Sequence, residues 1–450
     1  MTAEPERGRF HVGGLGDLLR LAWPVIFARL GIMAMGLTDA VVVGRYSADQ
    51  LAFHALGWAP TSVVLATAVG LLSGVQVMAA RFMGEGRPRQ AGAVLRRGVV
   101  YAVWIGLGSA AFLYTIAEPL LAVLGLDPVL VHGAGRVARI FALSLPLYLV
   151  ATAASSWLEG LSRPLPGMIV MWLANALNLG VNLLLVPGAF GLTPMGAAGA
   201  AWATLCARGL LALLLLGYIA LMPDARALGV FARPVRDRHA EVQQRRIGYG
   251  AGAAFFAEVL GFAGLNVVAG WLGGLAVAGW TVVVNVTSLI FMVPLGLGAA
   301  TAVLTGRAYG ARDAAALRRV VALGLGACAV AALAIALAIW PGARLVASAY
   351  AADQRLIALA APALVLAAVA FIPDALQVVA GIALRARGDV WAPTAVQVAS
   401  YVLVMIPLGW ALAHPFHLGL TGIVLAMIFS SYLSSSLLLA RTWVLTRRDV

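Results

Sequence analysis

Residues 79–98, AARFMGEGRPRQAGAVLRRG, and residues 304–321, LTGRAYGARDAAALRRVV, are variants of one pattern. Each leaves a long apolar run, crosses a short segment rich in Gly and Arg, and enters the next apolar run. Arg81 and Arg307 stand 226 residues apart, as do Gly84 and Gly310, and Leu158 and Leu384. Pro146 and Pro373 fall one residue from that spacing. Self-similarity at a fixed offset across half a chain marks an internal duplication.

Outward from these segments, apolar runs recur at 18–43, 51–80, 98–117, 137–158, 166–187, 194–222, 247–273, 276–304, 320–340, 356–384, 392–413 and 418–441. At 1.5 Å per residue each is about long enough to cross a hydrocarbon core. The polar/apolar alternation of a membrane barrel is missing, so the backbone must be satisfied within helices. Composition agrees: the 450 residues are 62% hydrophobic and 11% charged, against about 25% charged in a soluble domain. That excludes a soluble enzyme, a nucleic-acid binder and a disordered scaffold. The sequence predicts an all-α polytopic membrane protein with twelve transmembrane helices in two six-helix bundles. Six is even, so both halves enter the membrane in the same sense and should be related by a pseudo-twofold along the membrane normal. The expected organisation is an N-terminal lobe over 1–222, a polar linker over 223–246 and a C-terminal lobe over 247–450.

All 31 basic residues are Arg. Lacking Lys, the chain has no Walker A loop and no Schiff-base chemistry. With the N-terminus in the cytoplasm, 24 Arg fall on the cytoplasmic side and 5 outside, with Arg29 and Arg208 inside spans. Both termini are therefore expected in the cytoplasm, in a cell (inner) membrane. Anionic lipid headgroups account for the net charge of +13 without nucleic acid. The N-terminal MTAEPERGRFHVGG has no short apolar core, so the first helix is expected to be retained rather than cleaved. Cys206 and Cys328 lie in apolar runs and read as small packing residues.

Carboxylates inside spans cost at least ~2.5–3.5 kcal/mol each and demand a reason. Glu258, in AAFFAEVLGFAG, lies near the middle of the seventh span; Asp374, in FIPDALQVV, lies near the middle of the tenth, beside Pro373, which should kink the helix. Asp39 sits toward the outer end of the first span. Glu118 and Glu159 fall at span ends and read as solvated. A buried carboxylate facing a polar cavity can hold a proton, join other oxygens around a sodium ion, or pair with an organic cation. Competition between two of these suffices for antiport. Asn175, Asn178 and Asn182 share one helix face. With Gln76, Asn285, Gln377 and Arg29 they are candidates for a cavity lining, as are Met33, Met35, Met171 and Met292.

These pieces together resemble the multidrug and toxic compound extrusion (MATE) transporters. The resemblance is carried by LAWPVIFARLGIMAMGLTDAVVVGR at 21–45, NLGVNLLLVPGAFGLTPMGAAGAAWAT at 178–204, SLIFMVPLGLGAATAVLTGRAYGARD at 288–313 and FIPDALQVVAGIALRARGDVWAP at 371–393. It spans nearly the whole chain. Glu258 and Asp374 match the C-half carboxylates of the NorM-type branch, Asp39 the first-helix Asp, and Asn178 and Asn182 the fifth-helix Asn pair. The resemblance implies an antiporter that exports amphipathic, often cationic, drugs by alternating access; since one chain supplies both lobes, a functional monomer is the simpler expectation. Protons or sodium ions would be the coupling ions, with sodium at Glu258 and Asp374, and no other cofactor. Arg29 departs from the pattern, because a neutral residue is usual there. A lipid-linked oligosaccharide flippase of the same superfamily is the alternative, kept open by Arg29 and Arg208. A major-facilitator transporter fits less well, since RFMGEGRPRQ replaces its usual loop after the second helix. A membrane-embedded enzyme lacks support, because no HExxH, DDxxD or Ser/His constellation occurs within the spans.

Overall fold

The computed structural model describes residues 14–123, 125, 127–233, 237–350 and 353–448. The N-terminal segment discussed above, except Gly14, and part of the linker lie outside the described residues. The described chain is helical throughout. The first half contains α1 (Leu15–Tyr46), α2 (Ala48–Gly84), α3 (Pro88–Val123), α4 (Pro128–Gly160), α5 (Leu165–Leu185) and α6 (Gly196–Leu221). The second contains α7 (Arg238–Leu272), α8 (Gly274–Gly310), α9 (Ala314–Tyr350), α10 (Gln354–Ala368), α11 (Phe371–Ala386), α12 (Trp391–Ala413) and α13 (Gly419–Arg448). Most helices outrun the apolar runs of the sequence, because their polar ends remain helical beyond the apolar stretch. Caps mark several starts: Asp127 accepts from the Val129 N–H at 2.8 Å, and Asp237 from the Ala240 N–H at 3.0 Å.

Eleven of these helices are long and apolar enough to cross a membrane; α10 and α11 form one further span, bent by 48°. Pro373 explains the bend. It has no N–H to offer the Val369 carbonyl, and its ring crowds that carbonyl. The ladder tightens to Val369 N–H→Leu366 and Ala370 N–H→Ala367 bonds, and α11 restarts at Phe371, with Asp374 in its first turn.

Each half has its own core. One is built around Trp157, Leu145 and Leu149; the other around Trp280, Tyr401 and Leu364. Helix α1 serves both, since Leu18 and Ala22 pack into the second core. The halves meet along α2 against α7 and α8 against α1, where glycines let backbones touch. A Cβ at Gly70 would lie 2.7 Å from the Gly252 Cα, and one at Gly296 would lie 3.0 Å from the Ile26 nitrogen. The duplication offset carries Gly70 to Gly296 and Ile26 to Gly252, so these are one contact made twice. At the arginine-rich end of the helices the same exchange recurs. A Cβ at Gly84 would meet the Arg307 carbonyl at 2.1 Å, and one at Gly310 the Arg81 carbonyl at 2.3 Å. Reciprocal contacts of this kind are the signature of a twofold between repeats.

Candidate functional site

Between the lobes lies a cavity of about 310 Å³. Its wall is mainly apolar, with Met33 and Met292, Trp58, Phe255 and Phe291 among the lining residues. Three charged side chains line it: Arg29 from α1, Glu258 from α7 and Arg385 from α11. The Glu258 carboxylate makes no hydrogen bond among the described residues. Gln76 also lines the cavity, and its amide donates to the Glu159 carboxylate at 2.8 Å.

Asp374 is not part of this wall. It lies in a polar cluster within the second lobe, where its Oδ1 accepts from the Gln377 amide at 3.1 Å and the Tyr401 hydroxyl at 3.2 Å. The Gln377 amide also donates to the Tyr401 oxygen at 2.6 Å. Its carbonyl oxygen receives the Ser434 hydroxyl at 2.9 Å and the Gln397 amide at 3.4 Å. Gln397 in turn accepts from the Arg385 guanidinium. A continuous hydrogen-bonded path therefore runs from the cavity wall at Arg385 to Asp374. Tyr401 reaches this cluster from a π-helical stretch, Ala399–Met405, inside α12. Such a stretch inserts an extra residue per turn and re-aims side chains, often at functional sites.

A second buried cluster occupies the first lobe. Asp39 is 2% exposed, well away from the solvated position that its place near a helix end suggests. Its Oδ1 accepts from Asn178 at 3.0 Å and Asn182 at 2.7 Å, and its Oδ2 from the Thr204 hydroxyl at 2.5 Å. The side-chain oxygens of both Asn residues are buried with no donor. The two amide nitrogens and the Thr204 hydroxyl therefore surround the Asp39 carboxylate with donors. Arg208, one helical turn beyond Thr204, donates to the Ser144 hydroxyl at 2.7 Å and lies over the Tyr148 ring at 4.7 Å.

Several expectations need correction. Glu159 is not a solvated span end: it is 6% exposed, held by Gln76 and by Ser155 at 3.3 Å, with Arg29 at 3.9 Å. Arg29 thus has its partner in the same lobe, rather than in Asp39, Glu258 or Asp374. Gln377 is fully buried inside the second lobe instead of lining the cavity. Asn175 ties α5 to α1 by donating to the Gly31 carbonyl at 3.0 Å. Asn285 is exposed on α8 and is absent from the cavity wall. Cys328 is buried, but Cys206 is exposed. Sequence reading missed Arg385, assigned to the arginine-rich loops, and also Thr204, Tyr401, Gln397 and Ser434. The one available signal was that Arg385 lies one duplication offset after Glu159.

The MatE family profile matches residues 24–184 and 251–411, one copy in each half. The chain belongs to the MATE family. Members of this family are transporters rather than enzymes. A probable multidrug resistance protein NorM from Caulobacter vibrioides is 53% identical over 446 residues, covering 99% of this chain and 95% of that protein. The multidrug resistance protein PmpM of Pseudomonas aeruginosa is 32% identical, over 88% of this chain and 84% of its own length. These relatives place the chain in the NorM-type branch. Among solved structures, one described as the outward-facing conformation of a multidrug resistance MATE family transporter superposes with a TM-score of 0.90 at 18% identity, covering 100% of this chain and 99% of that one. The eukaryotic MATE transporter AtDTX14 gives 0.87 at 18% identity, with 96% and 97% covered. This MATE protein is thus a multi-pass membrane protein with the two-lobed fold.

Proposed function

We propose that this MATE protein is a multidrug efflux antiporter that works by alternating access. The observation that carries the reading is Glu258, a carboxylate with no hydrogen bond among the described residues, on the wall of an otherwise largely apolar cavity between two lobes. An apolar wall with flexible Met33 and Met292 suits amphipathic cargo of varied shape. A proton or a sodium ion reaching Glu258 and the Asp374 cluster displaces the cationic end of the cargo, and cargo binding displaces the ion. The Asp39 nook, with its buried carboxylate, is a second cation position in the other lobe. The excess of Arg in the loops on one side supports a reading with both termini in the cytoplasm and the protein in the inner membrane. One chain supplies both lobes, so the working unit is a monomer.

The test uses purified full-length protein in liposomes loaded with ethidium, under a proton gradient or a sodium gradient applied separately. Dye movement under one gradient establishes antiport and names the ion. Glu258→Gln should abolish that movement without loss of folded protein. Full movement in this variant would remove Glu258 from the mechanism.

A further inference from the structure

At the arginine-rich end of the helices the two halves carry related pockets. One, of about 870 Å³, is lined by Arg81, Phe82, Glu85, Arg87 and Gln243 among others. The other, of about 480 Å³, is lined by Arg307, Ala308, Ala311, Asp313 and Asp17 among others. The duplication offset of 226 carries each of the second five onto one of the first five. They are one pocket made twice.

The two copies differ in what becomes of their arginine. Arg81 donates to the Ala386 carbonyl at the end of α11. The residue in the corresponding place for Arg307 is Gly160, at the end of α4. Among the described residues Arg307 makes neither a hydrogen bond nor an ion pair, and its Nε is buried with no partner. Unmet guanidinium donors are costly, and a phosphate or carboxylate that docks on them recovers that cost.

Net charge does not decide what docks. Arg20, Arg163 and Arg307 line the second pocket together with Asp17 and Asp313, and Arg163 is already paired with Asp224 outside it. Counted with Asp224, cations and carboxylates balance. Their engagement decides. Asp313 spends one oxygen on the Ala316 N–H at 2.9 Å. Its other oxygen and both oxygens of Asp17 accept nothing among the described residues. The pocket therefore offers free donors at Arg307 and Arg20 and free acceptors at Asp17 and Asp313. A simple anion meets only the donors. A group with both a phosphate and an ammonium meets both sets.

The remaining wall shows how such a group arrives. Leu21, Trp23, Pro24, Leu165 and Leu304 make it apolar. Trp23 and Leu165 are exposed, and one turn further along the same helices so are Phe27 and Ile169. A spacing of four keeps each pair on one helix face. Helices α1 and α5 thus carry an apolar track from the pocket toward the hydrocarbon zone, with a Trp at its mouth, where such side chains mark the membrane interface. A soluble phosphate ester gains nothing from that track, whereas an acyl chain does.

We propose that the groove between the start of α1, the α4–α5 turn and the end of α8 is a site for an aminophospholipid of the phosphatidylethanolamine class. Arg307 and Arg20 take its phosphate, Asp17 and Asp313 its ammonium, and one acyl chain lies along Trp23, Phe27 and Ile169. Helices α1 and α5 belong to the first half and α8 to the second, so the lipid bridges the halves on the side where Arg307 lacks the acceptor that Arg81 has. The site is independent of what the central cavity carries.

The test uses purified full-length protein in detergent and phospholipids labelled on one acyl chain with NBD, differing only in headgroup: ethanolamine, choline or glycerol. Binding is followed by fluorescence anisotropy at a fixed ratio of lipid to detergent. Wild-type protein should bind the ethanolamine lipid at least about fivefold more tightly than either of the others, the equivalent of ~1 kcal/mol. Arg307→Gln should weaken ethanolamine-lipid binding by a similar factor. Asp17→Asn, at an exposed helix start, should at least halve the preference for ethanolamine over choline, and it carries the test if Arg307→Gln does not stay monodisperse. Equal binding of the three lipids, a preference for the choline or glycerol lipid, or wild-type behaviour in either variant overturns the site. Displacement of the lipid by millimolar soluble phosphoethanolamine would assign the pocket to a free phosphate ester and overturn the lipid assignment.

Discussion

The Arg81 guanidinium crosses the boundary between the lobes and donates twice to the Ala386 carbonyl, from Nε at 2.9 Å and Nη2 at 2.7 Å. Ala386 is the last residue of α11, where the carbonyls lack partners within the helix and the helix dipole favours a cation. The same guanidinium lies over the Tyr309 ring at 4.7 Å. Among the described residues its repeat mate Arg307 makes no such pair, and its Nε is buried with no partner. The latch therefore breaks the internal symmetry on one side.

Arg81→Gln should loosen this end. Charged hydrogen bonds of this kind contribute about 1.5–3 kcal/mol. Amide hydrogen exchange over residues 383–388 should accelerate at least tenfold relative to wild type. Unchanged exchange there would mean that the latch does not hold the lobes together.

Gly84→Leu should block closure at the arginine-rich end. A Cβ there meets the Arg307 carbonyl at 2.1 Å, a backbone atom with nowhere to go. Overpacking of this kind costs about 1–3 kcal/mol. Gradient-driven dye movement should fall by more than tenfold while purified protein remains monodisperse. Retention of wild-type rates would show that α2 and α8 can separate here without consequence.

Tyr401→Phe removes one donor to Asp374 and one acceptor for Gln377. A net hydrogen bond contributes about 0.5–1.5 kcal/mol, so the coupling-ion concentration for half-maximal transport should shift roughly fivefold. The shift should vanish in an Asp374→Asn background, where Tyr401 has no charge to serve. Equal shifts in both backgrounds would assign Tyr401 to packing alone.

Thr204→Val should perturb the Asp39 nook with little change in shape. It removes the 2.5 Å donor to Asp39 and leaves the two Asn donors. Melting temperature should drop by a few degrees, and the dependence of that temperature on added sodium should change. A melting curve identical to wild type with and without sodium counts against a cation position at Asp39.

Asp224 offers a pH test outside the membrane. Its carboxyl is held below the usual carboxylate range by bidentate pairing with Arg163, at 3.0 and 2.6 Å. A depressed carboxylate contributes stability above its unfolded value of about 4 and loses it as pH falls through the folded value. The pair is partly exposed, so its worth is small, about 0.5 kcal/mol. Asp224→Asn should lower the melting temperature slightly at pH 7, and the gap should close only as the pH falls through the depressed folded value of Asp224. A gap that persists in acid would assign the effect to something other than charge.

Span number, duplication and the intramembrane acids were readable in the chain because each depends on local chemistry. An apolar run of the right length needs no partner to be recognised, and Pro373 bends its helix wherever that helix packs. Helix ends were less readable: α9 runs over Ala314–Tyr350 rather than 320–340, because helix persists past the apolar stretch.

The site divided in the same way. Asn178 and Asn182 share a helix face by spacing alone, yet nothing in the spacing says that Asp39 lies against them. Glu159 looked solvated because it ends an apolar run, and only packing against Gln76 and Ser155 buries it. Arg385 looked like one more arginine of the membrane rim until the fold of α11 set it in the cavity wall.

By itself the sequence determined the two repeated helical halves, their shared sense of insertion and the presence of Asp39, Glu258 and Asp374 within spans. Hydrophobic length, residue periodicity and the cost of burying charge are properties of single segments. The tertiary structure alone decided which of these groups come together: Arg29 with Glu159, Arg385 and Glu258 on the wall of one cavity, and Asp374 with Gln377 and Tyr401. Apart from Asp374 and Gln377, neighbours on one helix, those groups stand 27 to 130 positions apart, and the rotation and crossing of packed helices bring them together, which no segment carries on its own.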